Sequence, residues 1–132
     1  MSEKFNTEVL IVGTGISGLL AAIKLSERYS VTILSKSSLN DCSTAWAQGG
    51  IAAVIDTKDN FNNHIKDTIN NGHEICNTKS VQQIIKQGKD SIELLLNYGV
   101  NFNKKGKELD QTLEGGHSHR RIIYHNDNTG EE

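Results

Sequence analysis

Proline is absent from this 132-residue chain. No turn read below leans on it, and the residues give no physical reason for its absence. Cysteine is scarce: Cys42 and Cys76 are the only two, and they form no C-x-x-C pair. That argues against a zinc site and a disulfide framework, and suits free thiols in a reducing cytosol. Aromatic residues make up 5% and hydrophobic residues 36% of the chain, a thin supply for a sealed α/β core. No run approaches the roughly 18 apolar residues needed to cross a bilayer. The opening Met1-Ser-Glu-Lys-Phe-Asn6 has no apolar stretch of the secretory kind, so a cytoplasmic protein is expected. Neither charge sign dominates. The 14 Lys and Arg against 16 Asp and Glu leave a net charge of −2, so no basic surface points to nucleic acid. The length suits about one domain.

What is present begins with Val9-Leu-Ile-Val-Gly13-Thr-Gly15-Ile-Ser-Gly18. A G-x-G-x-x-G run that closes an apolar stretch and opens a helical one is the setting in which the motif means dinucleotide binding. Gly13 allows the tight turn, Gly15 lets the backbone approach a pyrophosphate, and Gly18 lets the helix sit close on the strand. The helix N-terminus then offers free N–H groups and a partial positive charge to the phosphates. The four apolar residues from Val9 to Val12 predict a strand buried on both faces. Ile16, Leu19, Leu20 and Ile23 follow at the helical period, and Val31 to Ser35 reads as a second strand. Residues 7–36 are therefore expected to form one βαβ unit of an α/β, Rossmann-like fold. The acid that usually follows the first glycine by about 20 residues is missing. Ser35 and Lys36 stand there instead, and Asp41 lies too far along. Ser35 suits a ribose hydroxyl only weakly, and Lys36 suits either a phosphate or open water. Spacing alone leaves the dinucleotide open.

Beyond this unit, the Ser/Asn/Asp-rich stretch from Ser35 to Thr44 reads as a loop. The stretch from Ala45 to Val54 is built of small residues around Gly49-Gly50, which let backbone press against something flat. Asp56 to Asn60 reads as a turn and helix start. Phe61, His64, Ile65, Thr68 and Ile69 predict a helix over about 60–72. A longer one is predicted over about 78–98, with Thr78 as its N-cap, a stripe of Val81, Ile84, Ile85, Gly88, Ile92, Leu95 and Leu96, and a stop at Gly99. Val100 to Phe102 and the turn at 104–107 suggest a hairpin, Ile122 to Tyr124 a strand, and 128–132 the first turn of a helix. Two or three strands cannot complete the cofactor crevice of a doubly wound sheet. The chain is therefore expected either to be a fragment or to fold partially or with a partner.

Three segments carry a resemblance: Gly13-Thr-Gly-Ile-Ser-Gly18, Ser43-Thr-Ala-Trp-Ala-Gln-Gly-Gly50 and Glu114-Gly-Gly-His-Ser-His-Arg-Arg121. In order and spacing the chain resembles the N-terminal part of the L-aspartate oxidase family. Those FAD enzymes belong with the succinate dehydrogenase and fumarate reductase flavoproteins. The resemblance implies an incomplete FAD/NAD(P)-binding domain, with the capping and C-terminal domains absent and residues 43–54 as a flavin-contacting segment. It implies that Gly13, Thr14, Gly15, Ile16, Ser17 and Gly18 cradle the FAD pyrophosphate and that Lys36 serves the adenosine side. Ser43, Thr44, Ala45, Trp46, Ala47, Gln48, Gly49 and Gly50 would line the ribityl chain and isoalloxazine. In respiratory relatives a histidine before the threonine bonds covalently to FAD. Ser43 holds that place and cannot form the bond, so non-covalent FAD is implied.

In the substrate-side loop, 114–121, Glu114 resembles the family's substrate-orienting glutamate, a carboxylate suited to the α-ammonium of L-aspartate. Read from the residue alone it is a solvated loop acid first, because exposed acids are the default. His117 and His119 share a face if the segment is extended. They read as polar lining beside the flavin rather than a metal pair, since no third ligand accompanies them. Arg120 and Arg121 suit a dicarboxylate or phosphate, or form a solvated charge pair. Trp46 reads as core before cofactor contact, and His64, His73 and His125 as structural or surface. The implied reaction is oxidation of L-aspartate to iminoaspartate, with fumarate or oxygen as acceptor, in NAD biosynthesis, and with iminoaspartate passed to quinolinate synthase. The implied catalytic residues lie downstream, so none is expected in this chain, no metal is expected, and the chain is expected to be inactive. A fumarate reductase or succinate dehydrogenase fragment and a non-catalytic FAD-binding remnant are the alternatives; Ser43 and Glu114 speak against the former.

Overall fold

A computed structural model of the chain describes residues 4–132. Its contacts divide it into two units, residues through Ala47 and residues Gln48–Gly130.

The first unit follows from two short apolar runs separated by a helical period. Strand β1 (Val9–Val12), helix α1 (Ile16–Ser26) and strand β2 (Val31–Leu34) follow one another. The strands pair in parallel, Val9 opposite Val31 and Val12 opposite Leu34, as a helical crossover requires. Beyond the strand ends, Thr7 Oγ1 donates to Ser30 O at 2.8 Å and the Ser30 N–H donates to Glu8 Oε2 at 2.8 Å. The continuous apolar run was expected to be buried on both faces, but burial alternates along β1 and β2. Leu10, Val12 and Leu34 are exposed, Val12 at 75%. An apolar run identifies a strand whether or not a second layer covers it. Within this unit no second layer reaches these three side chains.

The second unit is built on two helices and two small sheets. Helix α2 (Phe61–Asn71) starts at Asn60, whose side chain accepts from the Asn63 N–H. Helix α3 (Thr78–Asn97) starts at Asn77, which accepts from the Ser80 N–H. Thr78 was expected to be that cap. It is instead the first helical residue, because the asparagine before it reaches the orphan amides better. The helix ends at Gly99, at φ +97°. There the Gly99 N–H donates to Leu96 O and the Val100 N–H to Leu95 O, the paired closure that a left-handed glycine allows.

Strand β3 (Ile51–Ala52) runs antiparallel to strand β7 (Ile122–Ile123), which also pairs with strand β6 (Gln111–Thr112). The hairpin of β4 (Lys104–Lys105) and β5 (Glu108–Leu109) turns at Gly106, φ +67°. The core is Ala53, Ile92, Phe102 and Ile123, with Ile51, Ile55, Leu95, Leu96, Val100 and Leu109 packed around it. α3 sits close on Ala53 at Gly88, where a Cβ would lie 3.4 Å from that of Ala53. Ile84, expected in the buried stripe, is 70% exposed. Ile85 beside it points inward and is buried.

Candidate functional site

The glycine turn between β1 and α1 is shaped by backbone alone. Gly13 sits at φ +111° and donates its N–H to Leu34 O at 2.9 Å, which ties the turn to β2. Nothing lies within 4 Å of where its Cβ would be. A Cβ on Gly18 would strike Gly13 O, so this glycine is what lets α1 sit against the turn. Gly15 caps α1 with no side-chain hydrogen bond, and the first turn carries no acid. Among the described residues the Ser17 and Gly18 amides find no acceptor, and no acidic side chain stands in the first turn at the positive end of the helix. That is the donor set an anion seeks.

Part of the second motif folds onto this turn. The Ile16 N–H donates to Thr44 Oγ1 at 3.1 Å, and Cys42 Sγ donates to Thr14 O at 3.6 Å. Thr14 is buried, with its hydroxyl 3.5 Å from Ser35 Oγ. Ser35 in turn accepts from the Ser37 N–H. Residues 43–46 form a turn, with the Ala47 N–H on Thr44 O. Lys36 and Ser43 are exposed and Ala45 is half-buried. Trp46 was expected in the core. It is 72% exposed, because the small residues around it leave nothing large enough to cover an indole.

The second unit holds a cleft of about 250 Å³ lined by Gln48, Gly49, Thr112, Glu114, Tyr124, Asn126 and Asp127. The Glu114 carboxylate lies over Gly49, both oxygens within 3.9 Å of the position a Cβ would take. Its carbonyl accepts from the His117 N–H at 3.2 Å, closing a turn. Tyr124 donates its hydroxyl to Asp110 Oδ2 at 2.8 Å, and that bond to an anion raises its pKa. Gly50 lies outside the cleft lining. A Cβ there would strike Ile123 O.

Next to the loop stands a buried ion-pair network that the sequence did not announce. Arg121 is fully buried. Its Nε and NH2 donate to the two oxygens of Asp59 at 2.7 and 3.0 Å, and its NH1 donates to Asp67 Oδ2 at 2.7 Å. It is thus neither a solvated charge nor free to hold a dicarboxylate or phosphate. Arg120 is exposed and reaches Gln111 O at 3.4 Å. The segment is turned rather than extended, so His117 and His119 do not meet as strand neighbours. They meet the network: His117 Nδ1 lies 3.2 Å from Arg121 NH1, and His119 Nδ1 lies 3.6 Å from Asp59 Oδ1. His64 is buried, its ring 5.6 Å from that of His117, and among the described residues its Nδ1 has no hydrogen-bond partner. His73 is exposed, and His125 Nδ1 meets Asn101 O at 2.5 Å. Among the described residues no group of three His, Cys, Asp or Glu side chains stands close enough to hold a metal ion.

Charge in the network is set by competition. Burial alone would raise the Asp67 carboxyl, but the Ser118 N–H, the Ser118 hydroxyl and Arg121 outweigh it and hold its pKa at about 2. Burial likewise opposes Asp59, and Arg121 with the Asn60 N–H brings it below the usual carboxylate range. His64 is pushed down by burial first and by Arg121 next, which favours its neutral form. Asp59 and Asp67 were missed as partners of Arg121 because 62 and 54 residues separate the charges. No local period encodes so distant a pair.

The FAD binding domain family matches residues 8–132. The chain belongs to that family. This FAD-binding domain is 45% identical to the L-aspartate oxidase of Acinetobacter baylyi, over 93% of this chain and 23% of the relative. It is 38% identical to that of Pseudomonas aeruginosa, over 98% and 26%. It superposes on a quinol fumarate reductase of E. coli with a TM-score of 0.90 and 25% identity, covering 98% of this chain and 23% of that one. The chain thus spans about a quarter of the length of the relatives it matches. FAD is the group the family binds, and the glycine turn fits it. The space over Gly13 and the free amides at the mouth of α1 suit a pyrophosphate. No helix among the described residues is long and apolar enough to cross a membrane.

Proposed function

We propose that this chain is the FAD-binding portion of an L-aspartate oxidase, serving the oxidation of L-aspartate to iminoaspartate. The observation that carries the reading is the Glu114 carboxylate seated over Gly49 in an open cleft. A fixed anion in a cleft suits an amino acid better than a plain dicarboxylate, because an α-ammonium is what it can pair with. The 45% identity to an L-aspartate oxidase supports the same substrate.

Bound FAD supplies the acceptor for the electron pair of the Cα–N bond; the chain's own residues bind and orient. The turn from Gly13 to Gly18 would hold the pyrophosphate, with Thr14 to Ser17 contacting it and the Ser17 and Gly18 amides as its open donors, since the Gly13 and Ile16 amides are already bonded to Leu34 O and Thr44 Oγ1. Lys36 would serve the adenosine side, and Ser43 to Gly50 would serve the ribityl chain and ring. Ser43 offers a hydroxyl and no imidazole, so the flavin stays non-covalent. Glu114 receives the substrate ammonium. No residue in this chain is assigned as the base. Fumarate or oxygen is the acceptor, quinolinate synthase the consumer of iminoaspartate, the step belongs to NAD biosynthesis, and the compartment is the cytoplasm.

The test has two parts. The chain is incubated with FAD and gel-filtered. Flavin absorbance is expected to travel with the protein and to be released by denaturation; colourless protein defeats the reading in favour of a remnant without flavin. In a whole-length protein carrying this domain, anaerobic L-aspartate is expected to bleach the flavin. Bleaching by succinate and not by L-aspartate supports a fumarate reductase or succinate dehydrogenase flavoprotein instead.

A further inference from the structure

The loop that carries Glu114 has little of its own to hold it. Glu114 and the two glycines after it are exposed, and the segment to Arg120 is turns and bends. It is gripped from outside by one face of α2. Asp67 and Asn71 stand four residues apart and share that face. Asn71 Nδ2 donates to Gly116 O at 2.9 Å. Asp67 Oδ2 accepts from the Ser118 N–H at 2.8 Å, the Ser118 hydroxyl at 2.7 Å and Arg121 NH1 at 2.7 Å. Three donors thus converge on one oxygen, two of them from Ser118. The fit is steric as well as polar. Gly116 takes φ +84°, and a Cβ there would come within 2.9 Å of the Asn71 amide group. Gly116 stands two residues after Glu114, and the His117 N–H closes the turn on the Glu114 backbone carbonyl, so whatever fixes 116–118 also fixes the main chain from which the carboxylate extends.

We propose that Asp67 and Asn71 are positioning residues: they clamp residues 116–118 to α2 and thereby hold the Glu114 carboxylate over Gly49, where it selects a substrate bearing an ammonium group. This deepens the L-aspartate reading and rests on it. Neither residue touches the substrate. They act through Glu114, and so their effect is on which ligand is preferred, not only on whether the chain folds. Charge-assisted donors on Asp67 make it the stronger half of the clamp. Asn71 is exposed and is the cleaner one to remove.

The test uses the whole chain and two variants that open the clamp from opposite sides, Asn71→Ala by loss of a bond and Gly116→Ala by a steric wedge. The first readout needs no ligand: the NMR cross-peak between the Glu114 side chain and the Gly49 backbone, and solvent exchange of the His117 amide. Both variants are expected to weaken the cross-peak and speed exchange about fivefold, the size of one net hydrogen bond, with Phe102 and Ile123 signals unchanged. A cross-peak that persists at full strength in both variants overturns the proposal. The second readout is the affinity ratio of L-aspartate to succinate in the FAD-loaded chain. It is expected to fall at least threefold in either variant, and not to fall further when Glu114→Gln is already present. A purely structural role weakens both ligands alike and leaves the ratio unmoved, which also overturns the proposal. Wild-type chain with no preference for L-aspartate defeats the substrate reading instead. The clamp then stands or falls on the cross-peak.

Discussion

Arg121 is the residue on which the second unit depends most. A fully buried guanidinium is tolerable only because three of its nitrogens find carboxylate oxygens, and removing it strands Asp59 in the interior. Breaking a buried pair from one side costs about 3–5 kcal/mol, a large share of a total that is usually about 5–15 kcal/mol. Arg121→Ala is therefore expected to unfold the unit in urea at a much lower midpoint, whereas Arg120→Ala is expected to leave the midpoint within error. The same network fixes the acid response. Asp67 is near pKa 2 in the fold against 3.8 without it. A depressed carboxyl contributes stability above its unfolded pKa and loses it as pH falls from about 5 toward 2, here about 2 kcal/mol. His64, also depressed, adds an earlier loss: protonation favours the unfolded chain as pH drops below about 6.5. Unfolding curves across pH should show both windows, and His64→Gln should remove only the upper one. Little of this was legible in the sequence. Arg121 reads as an exposed cation until Asp59 and Asp67, far away in the chain, are brought against it.

At the scale of elements, the signals that worked were local. The glycine spacing, the helical period after Gly15 and the closure at Gly99 each act over a few residues, and the structure has the turn, α1 and the end of α3 where those signals stand. The signals that failed needed a neighbour. Two-sided burial of β1 depends on a covering layer, and β3, two residues long, exists only because Ile51 and Ala52 find Ile123 and Ile122. Asn77 over Thr78 was a choice between adjacent capping residues that propensity barely separates. Asn77→Ala is expected to destabilise by about 0.5–2 kcal/mol, read as a lower melting temperature. Thr78→Ala, by contrast, should change little. Gly50→Ala has a harsher expectation. Its Cβ would meet Ile123 O and the Ile122 side chain, so it should part β3 from β7 and cost about 1–3 kcal/mol, visible as faster exchange of the Ala53 amide bonded to Arg121 O.

For the molecule as a whole, the α/β class and the FAD-binding family were legible because a phosphate turn needs glycine at fixed places and tolerates few substitutes. The exposed apolar side chains of the first unit were not legible, since composition does not reveal what stays uncovered. Leu10, Val12 and Leu34 on the strands, and Ile16, Leu19 and Ile23 on α1, all remain open to water, and among the described residues both strands of the parallel pair have an unpaired edge. Unsatisfied edges and bare aliphatic surface are what drives proteins to cling to one another. Purified chain should therefore brighten an apolar dye such as ANS, and its light scattering should climb with concentration. Charging the strand with Val12→Lys should quiet both, which makes that variant a practical handle for keeping the polypeptide in solution at millimolar strength.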